Sequence, residues 1–338
     1  MLDCNSKKLG GARLAYLDVL KCFGIILVII GHVQQMGFGL TVYESTTSLM
    51  IYTFNMPLFF FISGFLAYKV NLDKKGVLLN LKKKFLYVLL PGVLFYYIYI
   101  LYNHVGFSRL LEYGFEKYWF TFTLFECFLV YYFVMAVFKN SLLRLLVMLA
   151  ISIAGIIYLA LFSKYEIALL DINRFSKYFH FFFAGWVAKM YYEKYESFIQ
   201  NKWVVLCSTS LFILLLISLS YHFIPAPIHH FLRDIVLRYL GTIVVISCFF
   251  RNRDSFDNDN IINKGMSYVG RYSLPIYLLQ YFFLPDFIHY SSIPINIDMV
   301  TMMIICIIYT AFILMFCIGF IAILSNSIIL KKYLLGQK

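Results

Sequence analysis

The chain has 338 residues, 62% of them hydrophobic and 14% charged, with a mean hydropathy of +0.80. Soluble domains carry about 25% charged residues, so this composition excludes an ordinary soluble fold and places the chain in a membrane. The net charge of +12 does not signify nucleic-acid binding, because the basic residues stand between apolar runs and not on one polar surface. Such an excess is expected on the cytoplasmic side of a membrane protein.

A membrane span needs about 20 apolar residues. Ten such runs follow in chain order, at roughly 15–36, 47–68, 85–102, 119–138, 143–162, 176–191, 203–221, 230–250, 267–284 and 299–325. The sixth and ninth are short and carry polar residues, and the tenth is long enough to tilt or bend. The runs are continuous and not alternating, which predicts an all-α integral membrane bundle and not a barrel. The first run is longer than a signal-peptide core and no small-residue cleavage site follows it, so it reads as a span. The polar stretch Arg251–Asn260 reads as a loop, and residues 1–338 read as a single domain without an internal repeat. Seven scattered cysteines without a C-x-x-C pair predict neither a disulfide framework nor a metal site.

Charge distribution gives the orientation. With the N-terminus inside, the segments facing the cytoplasm hold 20 of the 29 Lys and Arg residues, including Lys69, Lys74, Lys75 and Lys82–Lys84. The opposite loops hold five, Arg109, Lys117, Lys164, Arg174 and Lys177. This asymmetry predicts an even number of spans with both termini cytoplasmic.

Ionisable groups inside spans are costly and mark function. The first span carries Asp18, Lys21, His32 and Gln35. Lys21 and His32 are eleven residues apart, close to three helical turns, so they share a face about 16 Å apart along the axis. Such a stripe must face the bundle interior. An imidazole there is suited to accept a proton from a hydroxyl; a histidine bonded between helices and an interfacial Asp18–Lys21 ion pair are the structural alternatives. The second span contains Asn55, Pro57, Ser63 and Gly64 in the string FNMPLFFFISGF. Glu126 lies about two turns into the fourth span, either neutral or paired with a cation. Arg174 opens the sixth, Arg233, Asp234 and Arg238 open the eighth, and Arg271 and Gln280 frame GRYSLPIYLLQ in the ninth.

These strings resemble the membrane acyltransferase family 3. The family's first-span pattern, an acid, a basic residue three later and a His eleven after that, falls on Asp18, Lys21 and His32 within LDVLKCFGIILVIIGH. FNMPLFFFISGF, the W-F-x-x-x-L-F opening at Trp119, the stretch Arg174–Gly185 and the element Gly270–Leu278 recur in the same order. The absence of an appended soluble domain is similar to the stand-alone branch of fucose 4-O-acetylase-like and enterobacterial-common-antigen acetyltransferases.

The resemblance implies acyl transfer from cytoplasmic acetyl-CoA to a sugar hydroxyl of an envelope glycan in a bacterial plasma membrane, without a metal. His32 is expected to act as the general base, with Lys21 and Asp18 on the same helix about three to four turns away. Lys82, Lys83 and Lys84 stand where the family often has two arginines four apart, and are expected to attract the CoA phosphates. Arg174, Glu126, Asn55, Ser63 and Gln280 are expected to contact substrate. Gln280 stands where many members have His, so it would act by hydrogen bonding and not by proton exchange. A transporter or flippase of a lipid-linked sugar is the rival class, since it too needs a polar interior. Topology reporters fused at Glu44 and Lys75 are expected to lie on opposite sides of the membrane; the same side would refute the alternation of spans.

Overall fold

The computed structural model describes residues 14–40, 46–69, 72–102, 115–162, 171–221, 231–287 and 298–337. Every regular element among them is helical. In chain order they are α1 (Ala15–His32), α2 (Thr46–Ala67), α3 (Lys74–Lys84), α4 (Leu90–Tyr102), α5 (Trp119–Val137), α6 (Ser141–Phe162), α7 (Ile172–Met190) and α8 (Tyr192–Gln200). Then come α9 (Lys202–Ser220), α10 (Arg238–Arg251), α11 (Arg253–Phe256), α12 (Ile261–Arg271), α13 (Ser273–Leu279), α14 (Met299–Ser325) and α15 (Ile328–Tyr333). Three π-helical turns interrupt this pattern: Val33–Gly37 extends α1, Phe85–Leu89 joins α3 to α4, and Leu232–Leu237 leads into α10.

Seven helical stretches among the described residues are long and apolar enough to cross a membrane: Ala15–Gly37, Thr46–Ala67, Lys74–Tyr102, Trp119–Val137, Ser141–Leu161, Lys202–Ser220 and Met299–Ser325. The chain is therefore a multi-pass membrane protein. The other three expected spans are interrupted by polar or helix-breaking residues. α7 carries Arg174, Lys177 and Lys189, and α10 follows Arg233 and Asp234. The ninth expected span is two helices with a break at Tyr272. Pro275 cannot donate to the carbonyl of Arg271, and the Gln337 side chain donates to that carbonyl instead, at 3.3 Å.

Two further boundaries differ from expectation. The third span continues back through the lysine-rich α3, because Asp73 caps its start by accepting the Gly76 N–H at 2.8 Å. Within the expected loop Arg251–Asn260, residues Arg253–Phe256 form a turn of helix tied down by the Arg253–Glu196 ion pair at 2.7 Å. Asp298 starts α14 by accepting the Val300 and Thr301 N–H groups, and these bonds with the Thr301 hydroxyl hold its carboxyl below the usual range. Of the charges counted for orientation, Lys7, Lys8, Arg13, Arg109, Lys164 and Lys338 lie outside the described residues, as do Cys4 and Glu44.

α1 occupies the centre, packed by α2, α10, α12, α13 and α14. In the apolar stretches of α1 and α2, 78% of residues are buried, against 11% in α6 and α9. The last two are thus the lipid-facing periphery, and the polar stripe of α1 is removed from lipid. The most extensive helix pair is α2 with α7. Its two glycines make reciprocal close approaches: a Cβ on Gly64 would run into the Phe182 carbonyl, and one on Gly185 into the Phe61 carbonyl. Small residues at such crossings let backbones touch where lipid gives no hydrophobic drive for association. Gly64→Ala and Gly185→Ala are expected to lower the melting temperature of the solubilised protein, by the ~1–3 kcal/mol typical of overpacking. Gly265→Ala, with no atom within 4 Å of the added methyl, is expected to leave it unchanged or raise it.

Candidate functional site

Lys21, Ile25, Val28 and His32 follow one another at helical spacings of four, three and four residues, so they form a single face of α1. At one end Lys21 pairs with Asp18 at 2.7 Å. The backbone there is pinned by α12, whose Gly270 leaves no room for a Cβ against the Asp18 carbonyl. At the other end His32 is the last α-helical residue before the π turn Val33–Gly37. Single π turns often mark functional positions, since they re-aim neighbouring side chains.

His32 is 8% exposed. Its Nε2 lies 3.5 Å from the Tyr281 hydroxyl, with ring centroids 5.1 Å apart. Its Nδ1 is buried with no hydrogen-bond partner among the described residues. Gln280 stands beside the imidazole; its Nε2 donates to the Tyr277 carbonyl at 3.1 Å, while its Oε1 has no partner. The imidazole and the Gln280 side chain interact with each other through a hydrogen bond of poor geometry, which a ligand hydroxyl can replace.

The surroundings are phenolic. Tyr281 packs edge-on against Tyr118 at 5.2 Å and Tyr277 at 5.8 Å. The Tyr277 hydroxyl donates to the Lys117 carbonyl. The Lys117 ammonium sits 4.7 Å from the Tyr99 ring centre and 6.0 Å from that of Tyr281, within electrostatic reach of His32. The Tyr52 ring lies against Gly31, and its hydroxyl donates to Gln35 at 3.2 Å. The aromatic lining continues through Tyr178, stacked on Trp119 at 5.3 Å. Arg174 lies 5.2 Å over Trp119 while paired with Asp171.

Between Lys21 and His32, a cavity of about 30 Å³ lies along the α1 face. Ile25 and Val28 line it from α1, Met56 and Phe59 from α2, Phe120 from α5, and Ser273 and Tyr277 from α13. It is small and almost wholly apolar, so a larger group enters only if these side chains move.

Of the three adjacent lysines, Lys82 and Lys83 are exposed on the last turn of α3. Lys84 turns inward. Its ammonium sits 4.0 Å above the Phe128 ring, and its charged neighbours are Lys69 and Lys21. The structure therefore joins Lys84 to Lys21 across three helices and leaves Lys82 and Lys83 outside that group.

The remaining expected residues are scattered. Asn55 is buried in α2; its Oδ1 accepts the Met56 N–H at 2.6 Å, and its Nδ2 has no partner. Ser63 is half-buried nearer the Lys21 end of α2. Glu126 has a buried oxygen without a hydrogen bond; its charged neighbour is Asp171, and no cation pairs with it among the described residues. Lys117, Tyr52, Tyr118, Tyr277 and Tyr281 were not expected from sequence. The tyrosine hydroxyls are hidden in runs that count as apolar, with adjacency of Tyr281 to Gln280 a local signal, and Lys117 reads in sequence only as a loop charge. Among the described residues no group of three His, Cys, Asp or Glu side chains is placed to hold a metal ion.

A family model describing the acyltransferase 3 domain matches residues 14–331. No curated protein and no solved structure matches the chain. The matched stretch begins just before α1 and ends in α15, taking in every group described above. The chain thus belongs to the acyltransferase 3 family and is a membrane acyltransferase.

Proposed function

We propose that this protein transfers an acetyl group from cytoplasmic acetyl-CoA to a hydroxyl of a bacterial cell-envelope glycan, with His32 as general base. The observation that carries this reading is the buried His32 imidazole, held only loosely by Gln280 and Tyr281, set on one α1 face with Lys21 and a cavity between them. On this reading the chain is one domain of ten spans in the plasma membrane, with both termini cytoplasmic. The resemblance to fucose 4-O-acetylase-like and enterobacterial-common-antigen acetyltransferases supports a glycan acceptor.

The Lys21 end then faces the cytoplasm. Lys84, Lys21 and Lys69 hold the CoA phosphates as point charges, with Lys82 and Lys83 drawing them to the mouth. The thioester arm follows the Ile25–Val28 face as the small cavity opens. The acceptor enters from the opposite side, where the tyrosines and Trp119 offer flat faces for sugar rings. His32 takes the proton of the acceptor hydroxyl, and the oxygen attacks the acetyl carbonyl carbon. As the carbon–sulfur bond breaks, the imidazolium returns the proton to the departing CoA thiolate. Tyr281, which touches the imidazole, and Lys117, within electrostatic reach of it, are the donors assigned to the oxyanion. Arg174, held by Asp171 over Trp119, lines the acceptor entrance.

His32→Ala is expected to lower acetyl transfer by about 10²–10⁴-fold, the usual worth of a general base, with unchanged membrane insertion. Full activity in that variant refutes the mechanism. Glycan mass analysis with and without the gene checks the reaction: loss of one acetyl substituent per modified sugar supports it, whereas loss of the whole glycan points to transport. Lys84→Gln is expected to raise the acetyl-CoA KM about tenfold, and Lys82→Gln to change it less than threefold; equal effects would remove Lys84 from the donor site.

A further inference from the structure

His32 makes no contact strong enough to fix its own ring. The Tyr281 hydroxyl is 3.5 Å from Nε2, and Gln280 reaches the imidazole only through a hydrogen bond of poor geometry. The direction of the side chain is therefore set by the backbone that carries it, where α1 passes into the π turn Val33–Gly37.

That junction is held by Gln34, two residues beyond His32 and fully buried at 0% exposure. Burying an amide is costly unless its hydrogen bonds are replaced. Oε1 of Gln34 accepts the Ser48 hydroxyl of α2 at 3.0 Å, and Nε2 donates to the Met303 thioether of α14 at 3.1 Å. A thioether is a weak acceptor, so both ends of the amide are satisfied only while α1, α2 and α14 keep their mutual register. The Gln34 carbonyl also accepts the N–H groups of Phe38 at 3.3 Å and Leu40 at 3.2 Å, which closes the helix end.

The π turn decides which amide does this. A regular α-helix would bring Gln35, three residues on, nearly round to the His32 face. Here Gln35 is exposed and takes the Tyr52 hydroxyl, while Gln34 points between α2 and α14. Close packing confines the same stretch from both ends. A Cβ on Gly31 would lie 3.2 Å from the Tyr52 ring, and one on Gly37 would lie 3.1 Å from Phe287 and 3.3 Å from Pro285.

We propose that Gln34 is a positioning residue for His32: its bonds to Ser48 and Met303 lock the π turn, and the locked turn aims the imidazole at Gln280, Tyr281 and the substrate hydroxyl. The inference rests on the reading of His32 as the base. The aim of the ring is nevertheless measurable without the reaction.

The test uses the full-length protein in phosphatidylcholine nanodiscs. Diethyl pyrocarbonate, which modifies accessible imidazoles, is the probe, and peptide mass analysis reads its rate at His32. His180 of α7, buried at 3% exposure, is the internal control. Gln34→Met keeps the length of the side chain and removes the amide. It is expected to raise the His32 rate about threefold or more through local opening of the turn, with the His180 rate unchanged. Ser48→Ala removes one bond only and should shift the His32 rate in the same direction; it decides alone if Gln34→Met does not fold. An unchanged His32 rate overturns the proposal. Equal acceleration at His32 and His180 overturns it as well, because that is general loosening of the bundle.

Transfer assays give the second readout. Gln34→Met should lower kcat about ten- to a hundredfold, the cost of a misplaced reacting group, and leave both KM values within about twofold. A raised KM with unchanged kcat overturns the positioning role. Selective acceleration at His32 in the variants, with no acetyl transfer by the wild type to any acceptor, upholds the positioning and refutes the acetyltransferase reading.

Discussion

The exclusion of polar groups from hydrocarbon organises this molecule. Asp18, Lys21, His32 and Gln35 lie on a helix that is otherwise almost wholly apolar, and a lipid-facing position for that helix would strand charges in the bilayer. Placing α1 at the centre resolves this. It also requires several neighbours of suitable shape, and α2, α10, α12, α13 and α14 supply them. The uniformly apolar α6 and α9 carry no such penalty and are left at the periphery.

The same constraint explains why the polar groups lie in layers. Ion pairs and cations gather at the two ends of the bundle, around Lys21, Lys84 and Lys69 at one and around Asp234 at the other. Between them the polar side chains around His32 are mostly tyrosines with Gln280 and the Lys117 ammonium, embedded in aromatic packing. Phenols serve this layer well, because each offers a large apolar face and one hydrogen-bonding tip. On the proposed reading, such a middle layer is dry enough to strengthen electrostatic catalysis and polar enough to orient a hydroxyl.

Helix irregularities fall beside the buried polar groups. The break at Tyr272 separates α12, which pins the Asp18 backbone, from α13, which leads to Gln280 and Tyr281 beside His32. The π turns stand next to His32, Lys84 and Asp234. A regular helix fixes side-chain azimuth at 100° steps, whereas an inserted residue turns the next ones to a new face. The long contact between Tyr281 and His32 and the open atoms of His32 and Gln280 fit a site that completes its hydrogen bonds only with substrate.

The sequence by itself determined the class, the helical architecture, the ends of most spans and the stripe Asp18–Lys21–His32, because hydropathy, capping residues and a fixed helical period are all local properties. It also determined the family, since the strings that carry the resemblance are contiguous. What faces His32 was decided only by tertiary structure: Tyr281 and Gln280 arrive from α13 and its extension, and Lys117 from the turn before α5. Tertiary structure also separated Lys84 from Lys82 and Lys83, which in sequence are equivalent, because one step of helix turns the first inward and leaves the others in solvent. The tyrosines were illegible for a physical reason: hydropathy counts their rings as apolar, and a hydroxyl becomes functional only when packing from another helix brings it to a partner.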